Sequence, residues 1–180
     1  NLANETTDEA VQALIDAATS RYDVPQRYYR LKARLLGLER LEHYDRFAPV
    51  AEDETRTSWA EAREIVVGAY ADFSPLAGDV VERFFADDWI DAPPRPDKRT
   101  GAFCATTVPD VHPYVLMNFT GDRRSVLTLA HELGHGLHGV LAQPLGLVNA
   151  STPLTTAETA SVFGEALTFQ RLLAGEDDPR

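Results

Sequence analysis

The amino-acid sequence predicts a mainly helical α+β fold with one short pair of β-strands. Apolar residues recur at helical spacing through most of the first half, and residues suited to helix capping precede these runs. Two β-prone runs, GAFCATTV and YVLMNFTG, then flank the turn-like segment PDVHP, and the helical period returns from Asp122 onward. The two strands are expected to form a small hairpin or to lie side by side.

Four helices are predicted before the strands. The first begins at a cluster of capping residues that includes Thr6 and Thr7, and Pro25 separates it from the basic and aromatic helix QRYYRLKARLLGLERL. Ser58 and Glu61 match a capping box at the start of the third helix. The amphipathic run LAGDVVERFFADDWI is predicted to be the fourth helix.

A change of composition divides the chain. The proline-rich, charged segment DAPPRPDKRTG separates a helical segment at residues 1–90 from a second region at residues 91–180. In the second region the strands are followed by a helix from Asp122 to about Leu141 and by the loop AQPLGLVNASTPL. A last helix is predicted from about Thr155 to Leu173.

Composition excludes several classes of function. The formal net charge of −11 argues against binding to nucleic acid or to an anionic membrane surface. No apolar run approaches the roughly 20 residues that span a bilayer, and no signal-peptide pattern opens the chain. The single cysteine, Cys104, excludes an internal disulfide and favours the cytoplasm. Residue 1 is Asn and the only methionine is Met117, so we expect a piece of a longer protein.

Three histidines cluster in the helix that follows Asp122. Within TLAHELGHGLHGV, His131, His135 and His138 fall within about 60° of one another on an ideal helix. One explanation is a polar face that is merely rich in histidine. However, HELGH matches H-E-x-x-H, whose spacing lets two imidazoles converge on one zinc ion. The apolar residues Val126, Leu129, Leu133, Leu137 and Val140 lie on the opposite face.

Helix geometry limits which histidines can bind the same ion. His131 and His138 are separated by about 10.5 Å along the axis, and zinc bonds of about 2.0–2.1 Å cannot gather all three imidazoles. His138 therefore supports the ligands without binding zinc itself, faces the substrate, or is simply polar. His138 also occupies the position where H-E-x-x-H-x-x-G-x-x-H requires glycine, so the remaining ligand must come from another segment.

The last predicted helix offers two carboxylates to this metal site. Glu158 and Glu165 are seven residues apart, on a stripe shared with Val162, Phe169 and Leu172 that is expected to face the core. A capping box from Thr155 to Glu158 would explain Glu158 but would leave Glu165 as a costly unpaired carboxylate. A zinc ion accounts for both, with Glu158 as ligand and Glu165 accepting a hydrogen bond from a ligand imidazole.

Two histidines and one glutamate leave a fourth position open, which is typical of a catalytic zinc site. Water fills that position in such sites. Glu132 follows the first ligand in sequence but is rotated by about 100° from it on the helix. We therefore predict one Zn²⁺ ion held by His131, His135 and Glu158, with Glu132 as the general base.

Three quoted segments carry a resemblance to a known family. LAHELGHGLH, LTTAETASVFGE and GAFCATTVPDVHPYVLMNFTG closely resemble the oligoendopeptidase F branch of the thimet-oligopeptidase-like zinc peptidases, over residues 95–173. The resemblance implies a zincin-like core with a two-helix zinc site at residues 91–180, the ligands and base assigned above, and short peptides as substrates. It also implies that Gly101, Ala102 and Phe103 belong to an edge strand that pairs with the substrate backbone.

Two alternatives remain. A zinc amidase or deformylase would require Cys104 among the ligands, but GAFCATT lacks the E-G-C-L-S surroundings of such sites, so Cys104 is predicted to lie in the core. Members of the resembling family are much longer and supply tyrosine and histidine oxyanion donors from a C-terminal region. The chain is therefore either catalytic or an incomplete zinc-binding fragment that acts through association. Self-association is expected through helical faces around Tyr28, Leu31 and Leu35.

Overall fold

The computed structural model describes residues 2–50 and 56–175. The chain divides into two compact units, Asn1–Glu54 and Thr55–Arg180. The first unit contains two α-helices, α1 (Asp8–Ser20) and α2 (Asp23–Leu35), and 3₁₀ turns at Leu2–Asn4 and His43–Phe47. Its helical character agrees with the sequence prediction.

The ends of α1 and α2 follow local chemistry. The Thr7 side chain accepts a hydrogen bond from the backbone N–H of Ala10 at 3.2 Å, which confirms the predicted capped start of α1. Pro25 was expected to lie before α2 but lies in its first turn, where a missing N–H costs little. The prediction that α2 continues to Leu41 is also wrong, because the chain turns at Gly37 with φ 69°.

The second unit is mainly helical with a small mixed sheet, which confirms the predicted fold class. Its described elements in chain order are α3 (Trp59–Phe73), α4 (Pro75–Ala86), β1 (Ile90–Asp91), β2 (Phe103–Ala105), β3 (Tyr114–Leu116), α5 (Arg123–Ala142), α6 (Gly146–Asn149) and α7 (Leu154–Ala174). A 3₁₀ turn at Gln143–Leu145 and α6 occupy the segment that was predicted to be a loop.

The sheet has the strand order β1-β3-β2. β2 pairs with β3 in antiparallel register, with Cys104 opposite Val115, so the predicted strands are neighbours but are shorter than expected. Ile90 was predicted to continue α4 but pairs in parallel with Val115 as part of β1. α4 ends at Ala86 because Asp88 has φ 56° and Trp89 turns toward the sheet. Within the described sheet, β2 is an edge strand.

The apolar face of α5 forms the centre of the second unit. Val126, Leu129 and Leu133 are fully buried against α3, α4 and α7. The hydroxyl of Tyr70, on α3, donates a hydrogen bond to the backbone carbonyl of Ala130 at 2.8 Å and so ties α3 to α5. This packing confirms the apolar face predicted for α5 and directs its histidines away from the core.

Of the apolar stripe predicted for α7, Leu172 packs against the core but Val162 and Phe169 do not. Val162 and Phe169 are 54% and 53% exposed, respectively. The buried residues of α7 are the small residues Ser161, Gly164 and Thr168. Small residues let two helix backbones approach closely, so α7 packs on α5 through a narrow face and its two glutamates lie beside that contact.

α3 and α4 belong to the same compact unit as the second half of the chain. Both helices precede residue 90, so the second compact unit begins earlier in the chain than the region predicted at residues 91–180. The functional division at residue 90 remains a prediction. None of the helices in the described ranges combines the length and the apolar character needed to cross a membrane.

Candidate metal centre

α5 presents His131 and His135 side by side. Asp122 caps the start of this helix, because its side chain accepts a hydrogen bond from the backbone N–H of Ser125 at 2.7 Å. One helical turn separates the two histidines, whose ring centroids lie 4.9 Å apart. Each side chain is about a quarter exposed, at 25% and 23%, so both imidazoles reach the surface of the unit beside a buried helix face.

α7 brings a carboxylate to both imidazoles. His131 Nε2 lies 3.2 Å from Glu158 Oε2, and His135 Nε2 lies 3.4 Å from the same oxygen. A tetrahedral zinc site with bonds of about 2.0–2.1 Å places neighbouring ligand atoms about 3.3 Å apart. The donor types and separations therefore fit a zinc ion, and the ligand atoms of the three residues all lie within 4.8 Å of one another.

Each histidine has a partner that fixes its ring. His131 Nδ1 lies 2.5 Å from Glu165 Oε1, so a proton on Nδ1 leaves the Nε2 lone pair facing Glu158. The His135 ring is hydrogen-bonded to the backbone of Ala157. Glu165 thus lies where the sequence predicted a carboxylate supporting a ligand histidine.

The protonation states suit metal binding. Burial lowers the pKa of His135, which favours the neutral imidazole that a metal requires. A hydrogen bond from the Ser161 hydroxyl lowers the pKa of Glu158 and keeps its carboxylate ionised. Both effects favour the form of the side chain that can donate electrons to a cation.

Glu132 lies beside the three ligands rather than among them. Its side chain is buried, with the residue only 6% exposed, and burial raises its pKa above the ordinary value for glutamate. A hydrogen bond from the backbone N–H of Cys104 opposes that shift. Glu132 is therefore a carboxylate in a low-dielectric site, held against β2.

The crossing of α5 and α7 depends on a glycine between the two histidines. A Cβ atom at Gly134 would lie 2.4 Å from the carbonyl oxygen of Ala160 and 2.6 Å from the Cα of Ser161. Only glycine permits this approach of the two backbones. The close crossing is what brings Glu158 within reach of both imidazoles.

Two cavities lie at the histidine site, one lined by residues of β2 and the other by the segment that precedes β2. One, of about 440 Å³, extends past Phe103 toward His138, and the other, of about 570 Å³, extends past Gly101 toward Asn118. Ala102, His131 and Glu132 line both cavities. The predicted strand residues line the cavities, but β2 begins at Phe103, so Gly101, with φ 83°, and Ala102 precede the strand.

His138 lies in the first of these cavities and away from the ligand atoms. Its Nε2 is 3.3 Å from Thr152 Oγ1, in the segment before α7. It does not belong to the metal-competent group found among the described residues, which comprises His131, His135 and Glu158. Its predicted supporting role remains a prediction, and its position suits a contact with a bound molecule equally well.

Cys104 packs against the hydrophobic core, as predicted. Burial raises the pKa of its thiol to about 12, and Cys104 does not belong to the metal-competent group of the described residues, which is His131, His135 and Glu158. Its backbone, however, contributes to the site by donating to Glu132. This environment weighs against the deformylase alternative.

Sequence reasoning missed Ser161 and Asn118. Ser161 Oγ lies 2.7 Å from Glu158 Oε2, and the signal for it was a serine one helical turn after a proposed ligand. The Asn118 amide donates to the carbonyl oxygens of Arg99 and Gly101 at 3.0 and 3.2 Å. No sequence pattern identified Asn118, because its partners are distant backbone atoms.

The chain is similar to known peptidases. Residues 69–178 match Peptidase family M3. The chain is 28% identical over 181 residues to Group B oligopeptidase PepB of Streptococcus agalactiae serotype III (strain NEM316), covering 99% of this chain and 30% of that protein. It is 25% identical over 182 residues to the chromosomal oligoendopeptidase F of Lactococcus lactis subsp. cremoris, covering 99% and 30%.

A solved structure of another protein is also similar to this chain. A crystal structure from Chlamydophila abortus, described as that of a peptidase, matches with a TM-score of 0.78 and 28% identity over 97% of this chain and 29% of that one. These matches confirm the resemblance to oligoendopeptidase F that the sequence motifs carried. The chain spans about 30% of the length of the two curated relatives named above.

Proposed function

Because this chain belongs to Peptidase family M3, we propose that it carries the metal centre of a zinc-dependent metalloendopeptidase that hydrolyses peptide bonds in short peptides. His131, His135 and Glu158 are the proposed ligands of one Zn²⁺ ion, and Glu132 is the proposed general base. The names of the two relatives, an oligopeptidase and an oligoendopeptidase, support short peptides as the substrate class.

The observation that carries the proposal is the convergence of two imidazoles on one carboxylate oxygen. His131 Nε2 and His135 Nε2 lie 3.2 and 3.4 Å from Glu158 Oε2. An ion pair alone would not require two histidines at one oxygen, whereas a cation shared by all three donors satisfies each of them. The supporting contact from Glu165 to His131 is also typical of a metal ligand.

Glu132 is suited to moving a proton during hydrolysis. Bound zinc would supply the Lewis acidity that polarises a peptide carbonyl and makes a nearby water acidic. Glu132 takes a proton from the water as the water oxygen bonds to the peptide carbonyl carbon. It then returns that proton to the amine nitrogen, and the C–N bond breaks as the amine leaves. Burial raises the pKa of Glu132, and a raised pKa makes the carboxylate a better base toward water.

The edge strand is suited to holding an extended peptide. β2 is an edge of the described sheet; one cavity is lined by β2 and the other by the segment before it. A peptide that pairs with this strand through backbone hydrogen bonds would pass over Glu132 and both histidines. Gly101, Ala102 and Phe103 are the proposed backbone partners, and the cavities would take side chains on both sides of the cleaved bond.

A second candidate function is zinc binding without hydrolysis. The curated relatives are much longer than this chain, and the resemblance assigns their oxyanion donors to another region. Removing a single oxyanion donor typically costs about 2.7–4 kcal/mol of transition-state stabilisation.

We place the enzyme in the cytoplasm, since its single cysteine is an unpaired, protonated thiol.

Zinc content and cleavage of a quenched peptide test the proposal together. His131→Ala, His135→Ala and Glu158→Ala should each lower zinc affinity, whereas Glu132→Gln should keep zinc and abolish chelator-sensitive cleavage. Equal loss of zinc in all four variants would show that the base is misassigned. Zinc binding by the unmodified chain without any cleavage would support the second candidate, and absence of zinc binding would reject both.

A further inference from the structure

The ligand carboxylate on α7 is held by a second group that comes from its own helix. Ser161 Oγ lies 2.7 Å from Glu158 Oε2, the same oxygen that faces both ligand imidazoles. A serine hydroxyl has one hydrogen, and its alternative acceptor, the backbone carbonyl of Glu158, is farther away at 3.0 Å. The shorter, charge-assisted bond therefore goes to the carboxylate.

Glu158 needs such a partner more than the histidines do. Its side chain is 57% exposed, whereas the side chains of His131 and His135 are 25% and 23% exposed. An exposed glutamate samples many rotamers, and binding a cation must select one of them. A fixed hydroxyl at the ligand oxygen selects that rotamer before the cation arrives.

Ser161 is itself rigidly placed. It is fully buried, at 0% exposure, in the contact between α7 and α5. A Cβ atom added at Gly134 would lie 2.6 Å from the Cα of Ser161, so the two helices touch at this point. The backbone of Ser161 therefore has no room to move at the helix crossing. A buried hydroxyl without a partner is costly, and the Glu158 carboxylate supplies that partner.

Ser161 does not line either of the two cavities at the histidine site, so its proposed action passes through Glu158 and not through a substrate. We propose that Ser161 is a positioning residue that preorganises Glu158 for metal binding. The inference rests on the proposed zinc site. Loss of groups that orient metal ligands typically lowers metal affinity about 10–100-fold, which sets the effect expected of Ser161→Ala.

The same helix offers a matched control. Thr168 is also fully buried, and its hydroxyl has no hydrogen-bond partner among the described residues. Thr168→Val removes this hydroxyl at nearly constant volume and does not touch Glu158. It should leave zinc affinity unchanged, which shows that loss of a buried hydroxyl from α7 does not by itself weaken the site.

A double-mutant cycle separates positioning from structural support. Zinc affinity of the full chain is measured by competition with a chromogenic chelator for the unmodified chain, Ser161→Ala, Glu158→Ala and the double variant, and the metal-free melting temperature is recorded for each. We expect about a tenfold loss for Ser161→Ala alone and no further loss when it is added to Glu158→Ala.

The outcomes distinguish the proposals. Equal zinc affinity of Ser161→Ala and the unmodified chain would overturn the positioning role, as would losses that add in the double variant. A fall in the metal-free melting temperature that accounts for the whole loss would also overturn it. Failure of the unmodified chain to bind zinc would instead reject the proposed function on which the inference rests.

Discussion

Glu165 Oε1 lies 2.5 Å from His131 Nδ1, on the side of the ring opposite the proposed metal ligand Glu158. This contact fixes both the orientation and the tautomer of His131 and makes its Nε2 a stronger donor. Glu165→Ala should therefore lower zinc affinity about 10–100-fold while leaving the fold intact. Chelator competition measures the loss.

Val162→Ala provides a control on the same helix. Val162 is 54% exposed and is not one of the metal-competent residues. Its substitution should change neither zinc affinity nor stability by more than about 0.5 kcal/mol, as is usual at exposed positions. Similar zinc loss in both variants would mean that Glu165 has no specific effect on His131.

Gly134→Ala should separate α5 from α7. The added methyl would lie 2.4 Å from the Ala160 carbonyl oxygen, and a backbone atom cannot give way cheaply. Overpacking of this kind typically costs about 1–3 kcal/mol, and the displacement should move Glu158 away from the imidazoles. Urea unfolding gives the stability change, and zinc competition gives the effect on the site.

Gly68→Ala is the matched substitution for comparison. Its Cβ would meet the guanidinium of Arg171 at 2.7 Å, but that group is the far end of a flexible side chain. Because alanine favours helix over glycine, this variant should be neutral or slightly stabilised. If Gly134→Ala behaves in the same way, the close crossing is not what positions Glu158.

The fold class could be predicted from the sequence because periodicity and capping residues act locally. The capping box of Ser58 and Glu61 and the apolar face of α5 needed no knowledge of distant contacts. The strand at Ile90 could not be predicted, since it depends on pairing with Val115. The run before it has helical spacing, and tertiary pairing overrode that preference.

The candidate site shows the same division between local and distant information. The histidine spacing identified His131 and His135 because both belong to one helix. The prediction of Glu158 and Glu165 rested partly on a buried stripe, and Val162 and Phe169 of that stripe are exposed, because α7 packs through small residues. The role of Gly134 depends on a helix crossing that no local pattern encodes.

Cys104 should react slowly with alkylating reagents in the folded chain. Its thiol pKa of about 12 leaves about one thiol in ten thousand ionised at pH 8, against about a quarter for an ordinary cysteine. Iodoacetamide modification, followed by mass spectrometry, should therefore be about a thousandfold slower than in the denatured chain.

The same shift sets a pH dependence of stability. The folded thiol holds its proton more tightly than the unfolded thiol. Its contribution to the free energy of unfolding is therefore complete below the unfolded pKa of about 8.5 and falls as pH rises above that value.

Rapid alkylation of Cys104 that appears only after zinc is removed would contradict this buried environment. It would show instead that Cys104 is a metal ligand, as the deformylase alternative requires.

Asn118→Ala should disturb the turn that precedes β2. The side-chain amide donates to the Arg99 and Gly101 carbonyls, and losing both hydrogen bonds should cost about 1–3 kcal/mol of stability. Peptide binding to a Glu132→Gln background, measured by fluorescence anisotropy, should weaken while zinc affinity is unchanged. Asn149→Ala is the control, because its amide makes only a long 3.5 Å contact, to the Leu145 carbonyl, and does not contact the Arg99 or Gly101 carbonyls. Unchanged peptide affinity in the Asn118 variant would separate this turn from substrate binding.

Chelation should destabilise the chain and leave its association intact. Tyr28, Leu31 and Leu35 on α2 are 53%, 45% and 61% exposed, and contiguous apolar surface of this kind promotes self-association. The proposed zinc ion would tie α5 to α7, so its binding free energy would add to the folding free energy of the second unit. At free zinc about 1,000-fold above Kd this amounts to about 4 kcal/mol, or about 8–16 °C in melting temperature for a chain of this size. Circular dichroism should show that helix content before melting changes little on chelation. Size-exclusion chromatography with light scattering, run with and without chelator, measures the association, and a monomer whose melting ignores chelator would contradict both expectations.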